Sequence, residues 1–366
     1  MLVPNWTLME CSFAADPRPV ANEWRDLAAR ALVPSGLNSP ELVLPALTPD
    51  RGIRLATVRD AGGLRMVLPL ARQRFPALLT GTTTPISFYG MPHLDAELAV
   101  PALTAFLRRS DRPVLLHSVP CGGPLWDALT AAAGHFAVIE QWQRAGLDLT
   151  GTYNDWFESN FDRKRRKEYR RLRARLAEQG RFAAERMMPG DDTFPWVADF
   201  LTLEAASWKG RRGTAIDTDA AASAMLHEAS AGLAASGKLR FWKLSLDGRA
   251  IAMLYAVVEG GQAWLGKIAH DDSLARFSPG VLQILQATED LFAEGTITHV
   301  DSCAIPDHPM IDHIWRGRLA VADVLMAPGS MSGLRFTANL AAEHARRRLR
   351  GLAKDMFYKL TGRHRS

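Results

Sequence analysis

His270 and Asp271 stand together at the end of a strand-like run, and Asp301 ends another, with His308 and His313 a few residues on. Histidine ionises near neutrality, which suits a general base. A carboxylate at a strand end can support such a base or cap the following turn. Asp301 and His308 read as the catalytic pair with His270 behind them, although each lone histidine also fits a hydrogen-bonded structural group. Cys303, Asp307, His308, Asp312 and His313 raise the question of a metal. Tetrahedral zinc calls for Cys and His pairs at regular short spacing, and this set holds one cysteine. No metal site is expected, and Cys303 reads as a small buried apolar side chain rather than an acyl-accepting nucleophile.

Three further segments could hold a ligand. Ser278-Pro279-Gly280 opens a helical pattern just after Arg276. Main-chain N–H groups and the dipole at a helix N-terminus attract phosphate, Gly280 lets it come close, and Arg276 adds charge. The plainer alternative is an ordinary capped helix. Lys267 lies in an otherwise apolar strand, where an unpaired ammonium is costly, so it should face a cleft. Trp208-Lys209-Gly210-Arg211-Arg212-Gly213 is either a mobile basic loop over a ligand or a glycine-stopped helix end with solvated arginines.

The elements that must position these groups follow from periodicity and turn residues. In 1–150 the pattern predicts helices at 23–32, 101–108 and 126–133. It predicts strands at 54–58, 65–70 and 114–119, and a strand or strand pair at 137–149. From 151 to 330 it predicts a basic helix striped by Phe161, Tyr169, Leu172 and Leu176, a strand at 182–187, and helices at 193–208 and 219–235. An antiparallel meander follows at 239–246, 251–258 and 263–269, turning at Asp247-Gly248 and Gly260-Gly261. A helix at 281–293 with Ser278 at its cap, a strand at 297–302 and a last strand at 322–326 complete it. Trp156, Trp242 and Trp264 read as core.

This order, with the stretches beginning Phe161-Asp-Arg-Lys-Arg-Arg, Ala206-Ser-Trp-Lys-Gly, Lys267-Ile-Ala-His-Asp and Arg276-Phe-Ser-Pro-Gly, resembles the GNAT superfamily. In particular it resembles the CelD/BcsL-type acetyltransferases of cellulose biosynthesis. The likeness is strong over about 150–300 and looser before it. It implies an α/β (α+β) fold of two tandem GNAT-like lobes with mixed, mostly antiparallel sheets flanked by helices, as in the peptidoglycan-bridge Fem transferases. The implied organisation is a degenerate lobe at 1–150, an acyltransferase lobe at 151–330 and a basic tail helix at 335–366. The resemblance implies acyl-CoA as donor substrate and an amine as acceptor. A main-chain N–H within Leu265–Ala269 would then serve the oxyanion, and Lys267, Arg276, Ser278 and Gly280 would hold CoA. Trp208, Lys209, Arg211 and Asp271 would contact the acceptor. The Asp301–Arg316 stretch departs from the family's usual Asp-x-Gly and Tyr-Lys text, so no member's substrate is carried over.

Composition bounds the remaining choices. The 366 residues are 47% hydrophobic and 23% charged, which excludes a largely disordered chain, and no apolar run is long enough to cross a bilayer. Three scattered cysteines and an N-terminus without a signal pattern predict a cytoplasmic protein. The net charge of +5 is concentrated in 161–181 and 335–366, so the rest is acidic and nucleic acid is not an expected partner. The basic helix lacks interleaved aromatics and reads as a linker between lobes. The tail either docks on an anionic membrane surface, placing the protein peripherally on the inner membrane, or packs on the body. The favoured function is N-acylation of a sphingoid-type lipid amine or an amino sugar. The alternatives are a Fem-like transfer from aminoacyl-tRNA and a non-catalytic binding module.

Overall fold

The structure is a computed structural model that describes residues 9–14, 18–47, 52–84 and 90–361; residues 362–366 of the basic tail lie outside them. One mixed sheet of thirteen strands runs through the molecule. The first half supplies β1 (Glu10–Ala14), β2 (Arg54–Asp60), β3 (Gly63–Gln73), β4 (Leu78–Gly81), β5 (His93–Leu94), β6 (Val114–Pro120) and β7 (His135–Asp148). Its helices are α1 (Ala21–Ala29), α2 (Pro40–Val43), α3 (Ala99–Arg109) and α4 (Gly123–Ala132). The second half begins with α5 (Tyr153–Asn160), α6 (Arg163–Ala177), β8 (Phe182–Arg186), α7 (Thr193–Ala206), α8 (Trp208–Arg211) and α9 (Ala220–Ala235). It continues through β9 (Leu239–Leu246), β10 (Arg249–Glu259), β11 (Gln262–His270), α10 (Pro279–Glu294), β12 (His299–Asp301), α11 (Ile311–Ile314), β13 (Gly317–Ala327) and α12 (Gly333–Thr361).

The meander forms where its turn residues demand. Asp247 and Gly248 have φ of 49° and 81°, and Gly260 and Gly261 have 54° and 75°. Two successive positive φ angles match the twist of the flanking strands in a two-residue hairpin. Apolar residues on the two faces of the meander feed two cores. Met253, Tyr255, Val257 and Trp264 pack with α7 and α9. Leu254, Ala256, Ala263 and Leu265 pack with α10, Phe161 and Tyr169.

The strand order is β1-β2-β3-β4-β6-β13-β7-β12-β11-β10-β9-β8, with β5 on β3. The halves are joined by an exchange of neighbours. The late strand β13 hydrogen-bonds β6 and β7, both from the first half. The last residues of β7 in turn pair with β12. The strand expected at 322–326 is thereby extended to Gly317–Ala327, because it has partners on both edges.

Two expectations need correction. The strand expected at 297–302 is only His299–Asp301, since its parallel partner β11 leaves it after Trp264. The helix expected at 193–208 stops at Ala206, where Ser207 caps the short α8 by accepting from Lys209 N. The basic helix α6 buries Tyr169 in a cluster with Ala145 and Leu147 of β7 and Trp242 of β9, and Leu176 in one with Leu244. Among the described residues no helix is long and apolar enough to cross a membrane.

The tail helix divides in two. Near its start Phe336 is buried, and Glu343, fully buried, receives Arg346, Arg347 and Gln73. Arg347 also pairs with Asp323 of β13 at 2.6 Å. Farther along, Leu349, Leu352 and Met356 are exposed, on one stripe of the helix.

Candidate active site

Strands β11 and β12 run parallel for three residue pairs, Gln262 with His299 to Trp264 with Asp301, and then separate. Just past that point β11 bulges. Leu254 and Ala256 of β10 face Ile268 and Leu265, so β11 spends an extra residue at Gly266-Lys267 opposite Tyr255. A bulge re-aims side chains and interrupts pairing, and bulges recur beside active sites. Gly266 is obligatory here: a Cβ on it would lie 1.9 Å from the Tyr255 ring. The result is an open strand edge over Leu265–His270, facing a gap.

One side of the gap is built on α7. Glu204, with no exposure, sits 3.3 Å from Lys267 Nζ and 3.5 Å from Lys209 Nζ, and its Oε2 accepts from Ile216 N at 2.8 Å. Lys209 is delivered by the turn of α8 back onto the end of α7, which a Cβ at Gly210 would block at 1.8 Å from Ala205 O. Its ammonium donates to Ile268 O at 2.6 Å, on the open edge of β11. Burial, together with the neighbouring Lys267, lowers the Lys209 pKa against the pull of Glu204. Trp208 lies under the Arg212 guanidinium at 5.0 Å, and its main-chain N–H donates to Asp272. Arg211 reaches the same carboxylate at 2.7 Å.

The other side is the start of α10. Ser278 is its N-cap but adopts a left-handed conformation, φ 51°, and its side chain makes no capping bond, contrary to the expected Ser cap. The first N–H groups of α10 thus lack that acceptor. Gly280 faces His270 and Met310, which a Cβ would meet at 3.2 and 3.1 Å. One turn on, Gln283 is fully buried, and neither its amide oxygen nor its nitrogen has a hydrogen-bond partner among the described residues. Arg276 is exposed, stacked on Phe277 and 3.4 Å from Gln179 Oε1.

The sequence-selected side chains therefore form two groups. His270, Lys267, Lys209, Gly280 and His308 gather at the open end of the gap. His270 lies 3.6 Å from Asp272, and burial, with Lys209 nearby, lowers its pKa. Burial likewise lowers that of His308, whose Nδ1 accepts from Met310 and Ile311 N–H. Asp301 stands apart. Its carboxylate binds Arg144 at 2.6 Å, an arginine only 2% exposed, and accepts from Cys303 N at 2.8 Å. No hydrogen bond joins it to His308. Asp271 is held by Ser273 and Arg249; burial opposes its ionisation, but those hydrogen bonds outweigh it. Burial pushes the Cys303 thiol well up, away from nucleophilic use. Among the described residues no three His, Cys, Asp or Glu side chains are placed to hold a metal ion. Glu204 and Gln283 escaped the sequence reading. The only cue to Glu204 was a carboxylate on a largely apolar helix, three residues before Ser207.

Residues 163–308 match the family model described as an acetyltransferase (GNAT) domain. Among solved structures the chain is similar to FemX, at 10% identity over 84% of this chain and 96% of that one, TM-score 0.56. It is also similar to the C-terminal DUF2156 domain of a putative lysylphosphatidylglycerol synthetase from Agrobacterium fabrum, at 12% identity over 89% and 96%, TM-score 0.58. A third is L-PGS from Bacillus licheniformis, at 12% identity over 91% and 97%, TM-score 0.53. No curated protein matches. At such identities the likeness establishes the fold, tandem GNAT-type lobes. Together with the matched domain it makes the protein an acyltransferase.

Proposed function

We propose that the protein transfers an acyl group from a CoA thioester to a primary amine in the gap between β11 and β12. The acceptor is an amino sugar or a lipid-like amine, the latter suited to a basic amphipathic tail at a membrane surface. The observation that carries this reading is the bulge at Gly266-Lys267 where β11 leaves β12. It leaves a strand edge free to pair with the amide-bearing pantetheine arm. The uncapped start of α10 offers N–H groups that a phosphate would satisfy.

The chemistry follows from these positions. In a strand a residue's N–H and C=O share one edge, so the Ile268 N–H faces the gap beside the carbonyl that Lys209 holds. That N–H stabilises the thioester oxygen as the amine nitrogen attacks the carbonyl carbon. His270, kept neutral by burial, takes the amine proton. The C–S bond breaks, and Lys209, an easier proton donor than an ordinary lysine, protonates the departing sulfur. The Asp301–Arg144 pair holds β12 against β7 and so fixes one wall. In this reading residues 1–150 form a supporting lobe and 151–330 the catalytic one, and the exposed part of the tail rests on an anionic membrane of the cytoplasmic face.

A second reading is favoured by α6, whose Arg163, Lys164, Arg165, Lys167, Arg170, Arg171, Arg173 and Arg175 are exposed. Such a row suits a phosphate backbone, and the similarity to FemX fits a Fem-like donor, an aminoacyl-tRNA. Calorimetric titration with CoA, acetyl-CoA and palmitoyl-CoA, repeated on Gly280→Trp, separates the two. Thioester binding lost in the variant supports the CoA donor. No thioester binding, with salt-sensitive binding of charged tRNA, replaces it by the second reading.

A further inference from the structure

A cavity of about 200 Å³ lies between α5, α6 and α10, one turn from the start of α10. Its walls are the rings of Tyr153, Phe157, Tyr169 and Phe182 and the side chains of Leu244, Leu282 and Leu285. Arg170 and Arg173 border it, as do the amides of Asn154 and Gln286 and the carboxylate of Glu289. Neither arginine pairs with a carboxylate among the described residues; Arg173 lies 5.7 Å from the Phe182 ring centroid. An aromatic slot with two uncommitted guanidiniums at its mouth suits a planar base joined to a phosphate.

Leu282 places the near wall about 4–5 Å along the helix axis from Pro279, where the uncapped N–H groups lie. We infer that this cavity seats the phosphorylated adenosine end of the CoA donor, with Arg170 and Arg173 reading its 3′-phosphate. Adenine enters between the aromatic rings, its edge meeting the Asn154 and Gln286 amides, and Glu289 accepts from a ribose hydroxyl. The inference rests on the CoA reading above, and gives part of the basic run in α6 a specific task. A polynucleotide is the less economical occupant, because the aromatic slot has room for one base and the two arginines mark one phosphate.

The test is calorimetric titration of the full chain with CoA, dephospho-CoA and adenosine 3′,5′-bisphosphate, on the wild type and on Arg170→Gln/Arg173→Gln. Both arginines are exposed, so the fold should persist, and the melting temperature checks it. The wild type should bind CoA about tenfold or more tighter than dephospho-CoA. Adenosine 3′,5′-bisphosphate should displace CoA. The double variant should lose that preference while holding dephospho-CoA as before. Equal binding of CoA and dephospho-CoA by the wild type, or an undiminished preference in the variant, overturns this seat and leaves the CoA donor standing. Failure of the wild type to bind any CoA species overturns the donor and the seat together.

Discussion

Glu204→Gln is the perturbation that most directly probes the floor of the gap. Glu204 has no exposure and faces two ammoniums at 3.3 and 3.5 Å. At those separations an effective dielectric of about 20 gives roughly 5 kcal/mol of attraction per pair before relaxation. Both lysines retain 18–20% exposure, so water recovers part of that loss. Glutamine also keeps an oxygen for the Ile216 N–H. A net destabilisation of about 2–4 kcal/mol is expected, a large share of a typical total. The effect should depend on pH. Burial holds the folded Lys209 pKa below its ordinary 10.5, so the unfolded chain binds more protons in the window beneath that value. Stability attributable to Lys209 therefore rises with pH there, and removing Glu204 widens the window. Urea unfolding at about pH 7 and about pH 9.5 should show the variant's deficit shrinking at the higher pH. A deficit under about 1 kcal/mol, or one that grows with pH, would refute the idea that Glu204 holds two charged lysines.

Gly266→Ala should cost about 1–3 kcal/mol from the clash with Tyr255 and should slow acyl transfer far more than it lowers Tm; wild-type turnover would remove the bulge from the mechanism. Asp301→Asn leaves the Arg144 guanidinium buried without its counter-charge and should cost about 3–5 kcal/mol in urea unfolding. A full-stability, inactive Asp301→Asn protein would instead make Asp301 a catalytic base. The pKa of His270 is lowered by burial, so the acid limb of kcat/KM should lie below about pH 6.5 and vanish in His270→Gln. Stability should rise with pH through that same window, because the unfolded histidine binds the extra proton. Replacing Leu349, Leu352 and Met356 by serine should abolish sedimentation with anionic liposomes and leave Tm within about 1 °C; undiminished sedimentation would remove the tail from membrane docking.

The elements easiest to read were those fixed by local chemistry. Positive-φ pairs at Asp247-Gly248 and Gly260-Gly261 set the meander. The apolar stripe of α6 correctly said that one face packs, but stripes do not say against what. Contacts made across long separations were not legible. Arg144 and Asp301 are 157 residues apart, and nothing local marks either as the other's partner. The bulge in β11 is a property of register between two strands, and its only trace is Gly266 inside an apolar strand. Ser278 was read as a cap from its residue type, whereas its left-handed backbone turns the side chain away from that task. His270, Lys267 and Lys209 could be chosen by residue type, yet their convergence depends on α8 folding back at Gly210.

The two halves also show why chemistry is assigned to one of them. In the first half β4 and β6 run parallel for two pairs and then part, as β11 and β12 do in the second. There the gap is occupied by the chain itself. Gly90 exchanges hydrogen bonds with His117, and a Cβ on Gly81 would lie 2.1 Å from Gly90 O, so main chain abuts main chain with no room between. His117 is committed to Thr80 at 2.8 Å and Asp323 at 3.0 Å, and Asp323 in turn to Arg347 of the tail. That linked set ties β4, β6, β13 and α12 together. Among the described residues the second gap has an edge touched by the Lys209 ammonium, a polar contact that a ligand amide can replace. Because β13 supplies Asp323 to the first half while β7 borders β12, the closed gap braces the open one. In the mechanism proposed above, a rigid neighbour of this kind would keep the oxyanion donor and the base at fixed separation.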